Sequence, residues 1–223
     1  MPDNLKPIRA YPVLYILPVE AGTGSRWGSS LSEAMKADVA NKYEIICVFP
    51  TFADLPWYAD HPTDARLQQE TYFLKTVIPF VEAHYPVSTK SQDRYLLGFS
   101  KSGWGAWSLL VRHPDMFHKA FAWDAPLMLD RPGKYGSGDI FGTEDNFRDY
   151  DLSRLLSEKP EELVSEPRLY HQGYHGFRAQ HEKMNALLEE LGIPSVYRDG
   201  PDREHHWESG WLADAVELLL ADN

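Results

Sequence analysis

The chain has 223 residues, of which 43% are hydrophobic, a length and content that suit one domain with a sizeable core. Its 33 acidic residues outnumber 22 basic ones, and the resulting charge of −11 opposes binding to nucleic acid or to an anionic membrane surface. The single cysteine, Cys47, excludes an internal disulfide, and no run approaches the ~18 apolar residues of a membrane span.

The first ten residues, MPDNLKPIRA, are polar and contain prolines, unlike a signal peptide. This start predicts a cytoplasmic protein. A secreted form whose signal peptide has been removed would begin in the same way, and it stays open as the alternative.

Short apolar runs alternate with amphipathic helical patterns along the chain. Continuous apolar runs favour strands covered on both faces, as in a parallel sheet. The predicted strands are Pro12–Leu17, Glu44–Phe49, Arg94–Phe99, Lys119–Trp123, Arg168–His171 and Ser195–Arg198. Helical patterns cover Asp64–Ala83 (with a kink expected at Pro79), Phe177–Leu191 and Trp211–Leu220. This alternation predicts a single α/β domain over residues 1–223, with a mostly parallel sheet.

The segment Arg131–Tyr150 is rich in Gly, Pro and Asp and shows no clear period. It is longer than most loops, so we expect an excursion over the carboxyl edge of the sheet that could act as a partial lid.

The stretch RYLLGFSKSGWGAW, residues 94–107, carries two serines where a predicted strand turns into a helix. A sharp turn that presents a nucleophile needs small residues two positions before and after it. Ser100 has Gly98 and Ser102 there, whereas the bulky Trp104 follows Ser102. The pattern predicts Ser100 as a nucleophile; the alternative is a serine that only caps the helix.

A serine hydroxyl needs a neighbouring base to become a good nucleophile. Two histidines, His205 and His206, follow the last predicted strand in RDGPDREHHWESGW. Both histidines are available as the base for Ser100. Spacing alone leaves the choice open.

The opening strand YPVLYILP, the turn LLGFSKSGWGAWSLLVRHPDMF and the closing HHWESGW resemble the α/β-hydrolase superfamily. Within it they resemble the putative esterase family, which includes the esterase D type and feruloyl and acetyl esterases. The resemblance covers most of the chain and implies a three-layer α/β-hydrolase sandwich with a Ser-His-Asp triad. Its H-x-W motif maps the catalytic histidine onto His205, before Trp207, and leaves His206 in a variable position.

The expected acid is missing from its usual place. The family usually carries it in a G-x-x-D pattern after the penultimate strand, where this chain has GYHGF with Gly176 in the place of Asp. Some α/β-hydrolases instead take the acid from the end of the strand after the nucleophile turn. AFAWDAPL places Asp124 at that strand end, so the resemblance implies Asp124 as the acid that orients His205. A simple turn-capping role for Asp124 is the alternative.

Two backbone N–H groups must bind the oxyanion that forms during acyl transfer. The resemblance implies one from Lys101, the residue after the nucleophile, and one from the loop LPVEAGTGSRWG. Pro18 cannot donate, so Val19 or Glu20 must, and Val19 is preferred. The Lys101 side chain either pairs with a carboxylate or meets an anionic group of the substrate.

Few residues precede the first central strand, where the family usually has one or two more strands. We therefore expect about six strands and a bare sheet edge, which a homodimer or an added segment could protect. The histidines His171, His175 and His181 show no spacing typical of a metal site, so no metal and no cofactor are predicted.

Aromatic residues make up 13% of the chain, and four of them fall on predicted rim loops. Core packing is the default role of aromatic residues. Beside Gly and Pro, however, they could line a cleft for a sugar or an aromatic acyl group. The four predicted substrate-binding residues are Trp27, Trp57, Tyr58 and Trp207.

These features predict a serine-dependent carboxylic ester hydrolase that acts on a small-molecule ester through an acyl-enzyme. An acyltransferase with the same triad is one alternative. The other is a non-catalytic, hydrolase-like protein that binds carbohydrate or another ligand, in which the missing Asp at position 176 reflects lost chemistry.

Overall fold

Six parallel strands form the centre of the fold in the computed structural model, which describes residues 1–6, 9–158, 161–173 and 176–221. The strands are β1 (Val13–Leu17), β2 (Ile46–Val48), β3 (Arg94–Phe99), β4 (Lys119–Trp123), β5 (Leu169–Gln172) and β6 (Ser195–Arg198). Their order is β2-β1-β3-β4-β5-β6. Every residue of β1, β3, β4 and β5 is buried, and β1 and most of β3 and β4 are accordingly apolar. The predicted six-stranded parallel sheet is confirmed.

The strand bounds agree closely with the sequence prediction except at β2; β1 begins one residue later than predicted. β3, β4 and β6 have the predicted bounds, while β5 is shifted by one residue. The largest difference is at β2, which is reduced to Ile46–Val48 and pairs only with β1. Glu44 cannot extend this strand because its φ of 47° is far from the extended region. β2 is an edge strand, and the predicted homodimer that would cover the edge stays a prediction.

Helices cover both faces of the sheet. They are α1 (Ser30–Lys36), α2 (Val39–Lys42), α3 (Gln69–Tyr72), α4 (Ile78–His84), α5 (Lys101–Arg112), α6 (Gly138–Phe141), α7 (Glu144–Arg148), α8 (Leu152–Ser157), α9 (Arg178–Leu191) and α10 (Trp211–Leu220). Side chains alternate between the two faces of each strand. As a result, Leu14 and Phe121 pack in one core with α10, whereas Tyr15 and Ala120 pack in the other with α5.

The helix predicted over Asp64–Ala83 begins later, at Gln69, and is interrupted. A π-helical segment, Phe73–Val77, joins α3 to α4 just before Pro79. Proline lacks the N–H that an α-helix would use at this point, so a local change of hydrogen-bonding register is its physical consequence. This change of helix type lies where the kink is predicted, and the kink itself stays a prediction.

The excursion at residues 131–150 is more regular than its sequence suggests, since it contains α6 and α7. Phe141, Phe147 and Tyr150 anchor it through buried rings. The Tyr150 hydroxyl also donates to the Glu70 carboxylate at 2.9 Å. At its other end the exposed Tyr135 packs edge-on against Phe177, with ring centroids 5.2 Å apart. The segment is thus fixed to the body of the protein on one side and reaches the carboxyl edge of the sheet on the other, while a lid function stays a prediction.

Candidate active site

Ser100 occupies a strained turn between β3 and α5. Its φ of 55° and ψ of −128° lie in a region that non-glycine residues rarely adopt. The turn is tight because a Cβ placed on Gly98 would lie only 2.0 Å from the Ser102 carbonyl oxygen. The small residue that the sequence places two positions before Ser100 is thus required by the close approach of strand and helix.

The two serines of this turn have different structural roles. Ser102 is fully buried, and its hydroxyl donates to the Phe99 carbonyl at 2.9 Å and accepts from the Phe99 N–H at 3.0 Å. It therefore ties the end of β3 to the start of α5. Ser100 is partly exposed, and its side chain makes no capping hydrogen bond to α5, which argues against the alternative that it only caps the helix.

The sheet register brings Ser100 and Asp124 to the same level. Phe99 pairs with Trp123 in the neighbouring strand, and the next residue in each strand is Ser100 and Asp124. The Ser100 N–H also donates to the Trp123 carbonyl at 2.9 Å. Both side chains therefore leave the carboxyl edge of adjacent strands side by side, as the strand-end position of Asp124 predicts.

Asp124 is hydrogen-bonded to His205. The Asp124 Oδ2 lies 2.5 Å from the His205 Nδ1, and the Asp124 side chain is fully buried. The carboxylate also accepts from the Phe177 N–H at 2.8 Å and from the Gly176 N–H at 3.4 Å. These bonds come from residues far along the chain, which argues against the alternative that Asp124 only caps the turn after it.

Gly176 lies beside the Asp124 carboxylate. Gly176, which stands where the family usually has Asp, contributes a backbone N–H to the Asp124 carboxylate instead. The Gly176 N–H complements the negative charge of Asp124, which directly follows β4. Tyr174 and His175, in the same loop, lie outside the described residues.

The His205 ring lies against Phe99, the residue before Ser100, with ring centroids 4.4 Å apart. Because Nδ1 faces Asp124, the other ring nitrogen, Nε2, is left to act as a base. Among the described residues, Ser100 Oγ makes no hydrogen bond to this ring. Such catalytic bonds are often long without substrate and tighten in its presence.

His206 points away from Asp124. Its Nδ1 accepts from the Glu208 N–H at 3.2 Å, and its ring covers Gly28, where a Cβ would lie 2.4 Å from the ring. Geometry therefore favours the histidine chosen by resemblance, His205.

The predicted oxyanion donors, Lys101 and Val19, both have free N–H groups. In the part of the chain that the structure describes, neither N–H donates to a protein acceptor, and the Glu20 N–H is equally free. Lys101 is the first residue of α5, so its N–H lies at the positive end of the helix. Since both candidates in the loop are free, hydrogen bonding does not decide between Val19 and Glu20.

Tyr58 fixes the peptide that carries the Val19 N–H. The buried Tyr58 hydroxyl donates to the Pro18 carbonyl at 2.6 Å. Carbonyl and N–H point in opposite directions across a trans peptide, so this bond sets the direction of the Val19 N–H. The Tyr58 ring packs so closely on α5 that a Cβ on Gly105 would lie 2.1 Å from it.

The Lys101 side chain is partly buried beside the nucleophile. Burial is the main cause that lowers the pKa of Lys101, with Glu20 opposing and Arg26 adding to the shift. Within the described residues no carboxylate forms an ion pair with it, so the pairing predicted as one alternative is not observed.

A loop of residues 20–29 brings Trp27 to the site. The Glu20 carboxylate accepts from the Arg26 N–H at 3.2 Å and from the Trp27 N–H at 3.3 Å. The Trp27 carbonyl accepts from the Trp207 N–H at 2.8 Å. The half-buried Trp27 ring then meets His205 edge-on at 5.4 Å, so Trp27 lies where the sequence predicts.

Three of the four aromatic residues predicted to lie on rim loops are buried in the core instead. Trp57 and Tyr58 are fully buried, and Trp207 is only 2% exposed. Trp57 packs against Trp104 of α5, and Trp207 stacks on Trp211 of α10. These rings fill the cores beside the sheet because burial of such large apolar surfaces outweighs a position next to Pro or Gly in the sequence.

One aromatic residue at the site escapes the sequence analysis. Phe177 has its ring 5.8 Å from that of His205, and its N–H bonds Asp124. The only signal was its place next to Gly176. It also links the site to Tyr135 of the excursion.

His171 and His181 lie together under the carboxyl edge, with their Nδ1 atoms 3.0 Å apart. No group of three or more potential metal ligands occurs among the described residues, which leave out His175. Within these residues, no helix is long and apolar enough to cross a membrane.

The parallel sheet, with its sharp serine turn after β3 and a His–Asp pair at the same edge, makes the protein an α/β-hydrolase. More particularly, the chain belongs to the Putative esterase family, whose sequence profile matches residues 1–146. That match includes Ser100 and Asp124, whereas His205 lies beyond it.

Solved structures share the fold. A ferulic acid esterase has a TM-score of 0.74 and 24% identity, with 97% of this chain and 86% of that chain covered. The S-formylglutathione hydrolase of Staphylococcus aureus has a TM-score of 0.76 and 17% identity, with 99% and 90% covered. At these identities the likeness shows the fold alone.

An esterase of Mycobacterium tuberculosis is 27% identical over 135 residues. The aligned region is 59% of this chain but only 29% of that protein, so the chain spans less than a third of the relative's length.

Proposed function

We propose that this protein is a carboxylic ester hydrolase in which Ser100, His205 and Asp124 form a catalytic triad. The observation that carries the proposal is the 2.5 Å bond between Asp124 Oδ2 and His205 Nδ1, made by a ring that rests on the residue before Ser100. Family membership supports the same activity.

In the proposed mechanism the Ser100 hydroxyl attacks the ester carbonyl carbon while His205 Nε2 takes its proton. The buried Asp124 carboxylate stabilises the resulting imidazolium and holds the ring in the required orientation. The tetrahedral intermediate collapses when the carbon–oxygen bond to the alcohol breaks, and the alcohol leaves with the proton from His205. Water then attacks the acyl-enzyme by the same route, releasing the carboxylic acid and restoring Ser100.

The N–H groups of Lys101 and Val19 are the proposed oxyanion donors. Each such donor contributes about 3 to 4 kcal/mol of transition-state stabilisation when it is already in position. Two observations support this assignment: both groups lack a protein acceptor among the described residues, and Tyr58 holds the Pro18–Val19 peptide.

For the substrate we propose a small-molecule ester with a sugar or aromatic group, which would contact Trp27, Phe177 and Tyr135. The rings of Trp27 and Phe177 contact His205, and that of Tyr135 packs on Phe177, whereas Trp57, Tyr58 and Trp207 are buried. One neighbour in fold is named a ferulic acid esterase, which is compatible with an aromatic acyl group. Lys101, without an ion pair among the described residues, could meet an anionic part of the substrate.

The alternative of a non-catalytic binding protein depended on the missing Asp at position 176. The case for this alternative is weaker because Asp124 bonds His205, as an acid after β5 would otherwise do.

Labelling with a fluorophosphonate tests the proposal. We expect the wild type and Ser102→Ala to react and Ser100→Ala not to react. With p-nitrophenyl acetate as substrate, Ser100→Ala should lower kcat by about 10⁶-fold. Undiminished labelling of Ser100→Ala, or a wild type that never reacts, would contradict it.

A further inference from the structure

Two fully buried histidines lie directly behind the acid. His171 is on β5 and His181 on α9, and both rings are completely excluded from solvent. They stack with an interplanar angle of 19°. Neither belongs to the proposed triad, yet His181 bonds the residue that follows Asp124.

The hydrogen bonds fix the protonation of both rings. The Ala125 N–H donates to His181 Nε2 at 2.8 Å, so this nitrogen carries no proton. The proton of neutral His181 is therefore on Nδ1, from which it is donated to His171 Nδ1 at 3.0 Å. The proton of His171 must then be on its Nε2, a buried nitrogen with no partner among the described residues.

These bonds hold the backbone on both sides of Asp124. The Asp124 N–H donates to the Gln172 carbonyl at 2.8 Å, and the following N–H, that of Ala125, donates to His181. Asp124 itself has a φ of 37°, an uncommon conformation for a residue with a side chain. Fixing both flanking peptides sets the direction in which the carboxylate leaves the backbone, and that direction is toward His205.

The buried pair His171–His181 is less favourable than apolar residues would be if its only role were to fill the core. It leaves one imidazole N–H without a partner, and burial lowers the pKa of His171 to about 3 and that of His181 well below the ordinary value. It also requires a glycine at position 173, where a Cβ would lie 2.2 Å from the His181 ring. Apolar residues would fill the same space without these costs, and local costs of this kind concentrate at functional sites.

We propose that His181, kept in one tautomer by its bonds to the Ala125 N–H and to His171, is a positioning residue that holds Asp124 in the orientation required by His205. The inference rests on the proposed triad. His181 touches neither the substrate nor the reacting atoms and acts only through the Asp124–Ala125 peptide.

The test compares kcat and KM for p-nitrophenyl acetate in His181→Leu and His181→Gln. Leucine cannot accept from the Ala125 N–H, so we expect kcat to fall about 100-fold, as for a misplaced catalytic group, with KM changed by less than about threefold. Glutamine offers both an acceptor for Ala125 and a donor for His171, so its kcat should stay within about fivefold of wild type.

Met184→Ala is the matched control. Met184 is buried on the same helix, three residues after His181, and makes no hydrogen bond to the acid turn. This variant should lose stability but keep kcat within about twofold. If instead it loses as much activity as His181→Leu, general loosening of α9 explains the result and the inference is overturned.

A double-mutant cycle separates positioning from structural support. If His181 acts through the Asp124 carboxylate, His181→Leu should change kcat by less than about twofold when Asp124→Asn is already present. An undiminished 100-fold loss in that background would overturn the inference. Should His181→Leu not fold, His171→Phe removes one of the two partners that fix the tautomer; a kcat about tenfold lower supports the inference, and an unchanged kcat overturns it.

The outcomes also distinguish this inference from the proposed function. Activity retained in Ser100→Ala would overturn both. Activity lost in Ser100→Ala but full in His181→Leu would overturn only the role of His181.

Discussion

The two halves of the candidate active site, which meet at Ser100, are supported in different ways. On the acid half, Asp124 is fully buried and receives bonds from His205 and the Phe177 N–H, while His181 holds the peptide behind it. On the oxyanion half, the loop of residues 20–29 is closed by carboxylates nearer the surface, those of Glu20 and Glu208.

The difference follows from what each half has to do. A buried carboxylate must be surrounded by donors, because an uncompensated charge in the interior is very costly. The rim loop contributes a backbone N–H and an aromatic ring, which carry no net charge and can be supported by fewer contacts. Tyr58 is the exception, since its buried hydroxyl brings one rigid bond to the oxyanion half.

The largest expected effect comes from removing the charge on the acid half. In Asp124→Asn the amide can no longer stabilise the imidazolium, so kcat should fall by about 10⁴-fold. Asp151→Asn, at the start of α8, is the control and should keep kcat, because its carboxylate bonds only the N–H groups of its own helix. Turnover close to wild type in Asp124→Asn would remove Asp124 from the triad.

A smaller effect is expected on the oxyanion half. Tyr58→Phe removes a single oxygen and frees the Pro18–Val19 peptide, so kcat should fall about tenfold, less than the loss of a whole oxyanion donor. Tyr15→Phe is a matched control, since the Tyr15 hydroxyl is buried without a partner among the described residues. Equal kcat values in the two variants would mean that Tyr58 does not orient the donor.

The smallest effect concerns acid stability of the acid half. The pKa of His171, about 3, and that of His181, also lowered, lie below the ordinary value of 6.5 because of burial. Below about pH 6.5 these two imidazoles bind protons in the unfolded chain but not in the folded protein. The free energy of unfolding therefore decreases as the pH falls toward 3. His171 contributes up to about 1.4 kcal/mol per pH unit in that window, and the lowered pKa of His181 acts in the same direction.

His181→Gln removes one of these protonation sites. The fall in the free energy of unfolding between pH 6 and pH 5, measured with urea, should therefore be smaller in this variant than in wild type. Glu70 also makes both proteins less stable at acidic pH. Burial raises the pKa of its carboxyl group, but its bonds to His113 and Arg112 outweigh burial and lower that pKa. Identical slopes would show that His181 is not excluded from protonation.

Features that depend on a local sequence pattern, such as the buried strands and the turn at Ser100, could be predicted from the sequence. The strands could be predicted because burial on both faces demands continuous apolar residues, and Ser100 because a tight turn demands small neighbours such as Gly98. The position of Asp124 at a strand end could be read from the sequence, but its choice as the acid needed the resemblance. The preference for His205 over His206 needed the resemblance, since adjacent residues share the same spacing.

The supports of the site could not be predicted in this way. His181 bonds a residue 56 positions earlier in the chain, and Tyr58 bonds Pro18, 40 positions earlier. Neither pair leaves a periodic trace in the sequence. The short helices α6 and α7 span about one turn each, too few residues to show helical periodicity.

The proposed use of Asp124, after β4, as the triad acid changes what the absence of an Asp at position 176 implies about activity. A survey that judges catalytic competence by the residue after the penultimate strand would discard this chain as a pseudoenzyme. The more informative signature is a combination of two residues, a carboxylate directly after β4 and a small residue at position 176 whose N–H faces it. Family members with that combination deserve an activity assay before they are classified as inactive.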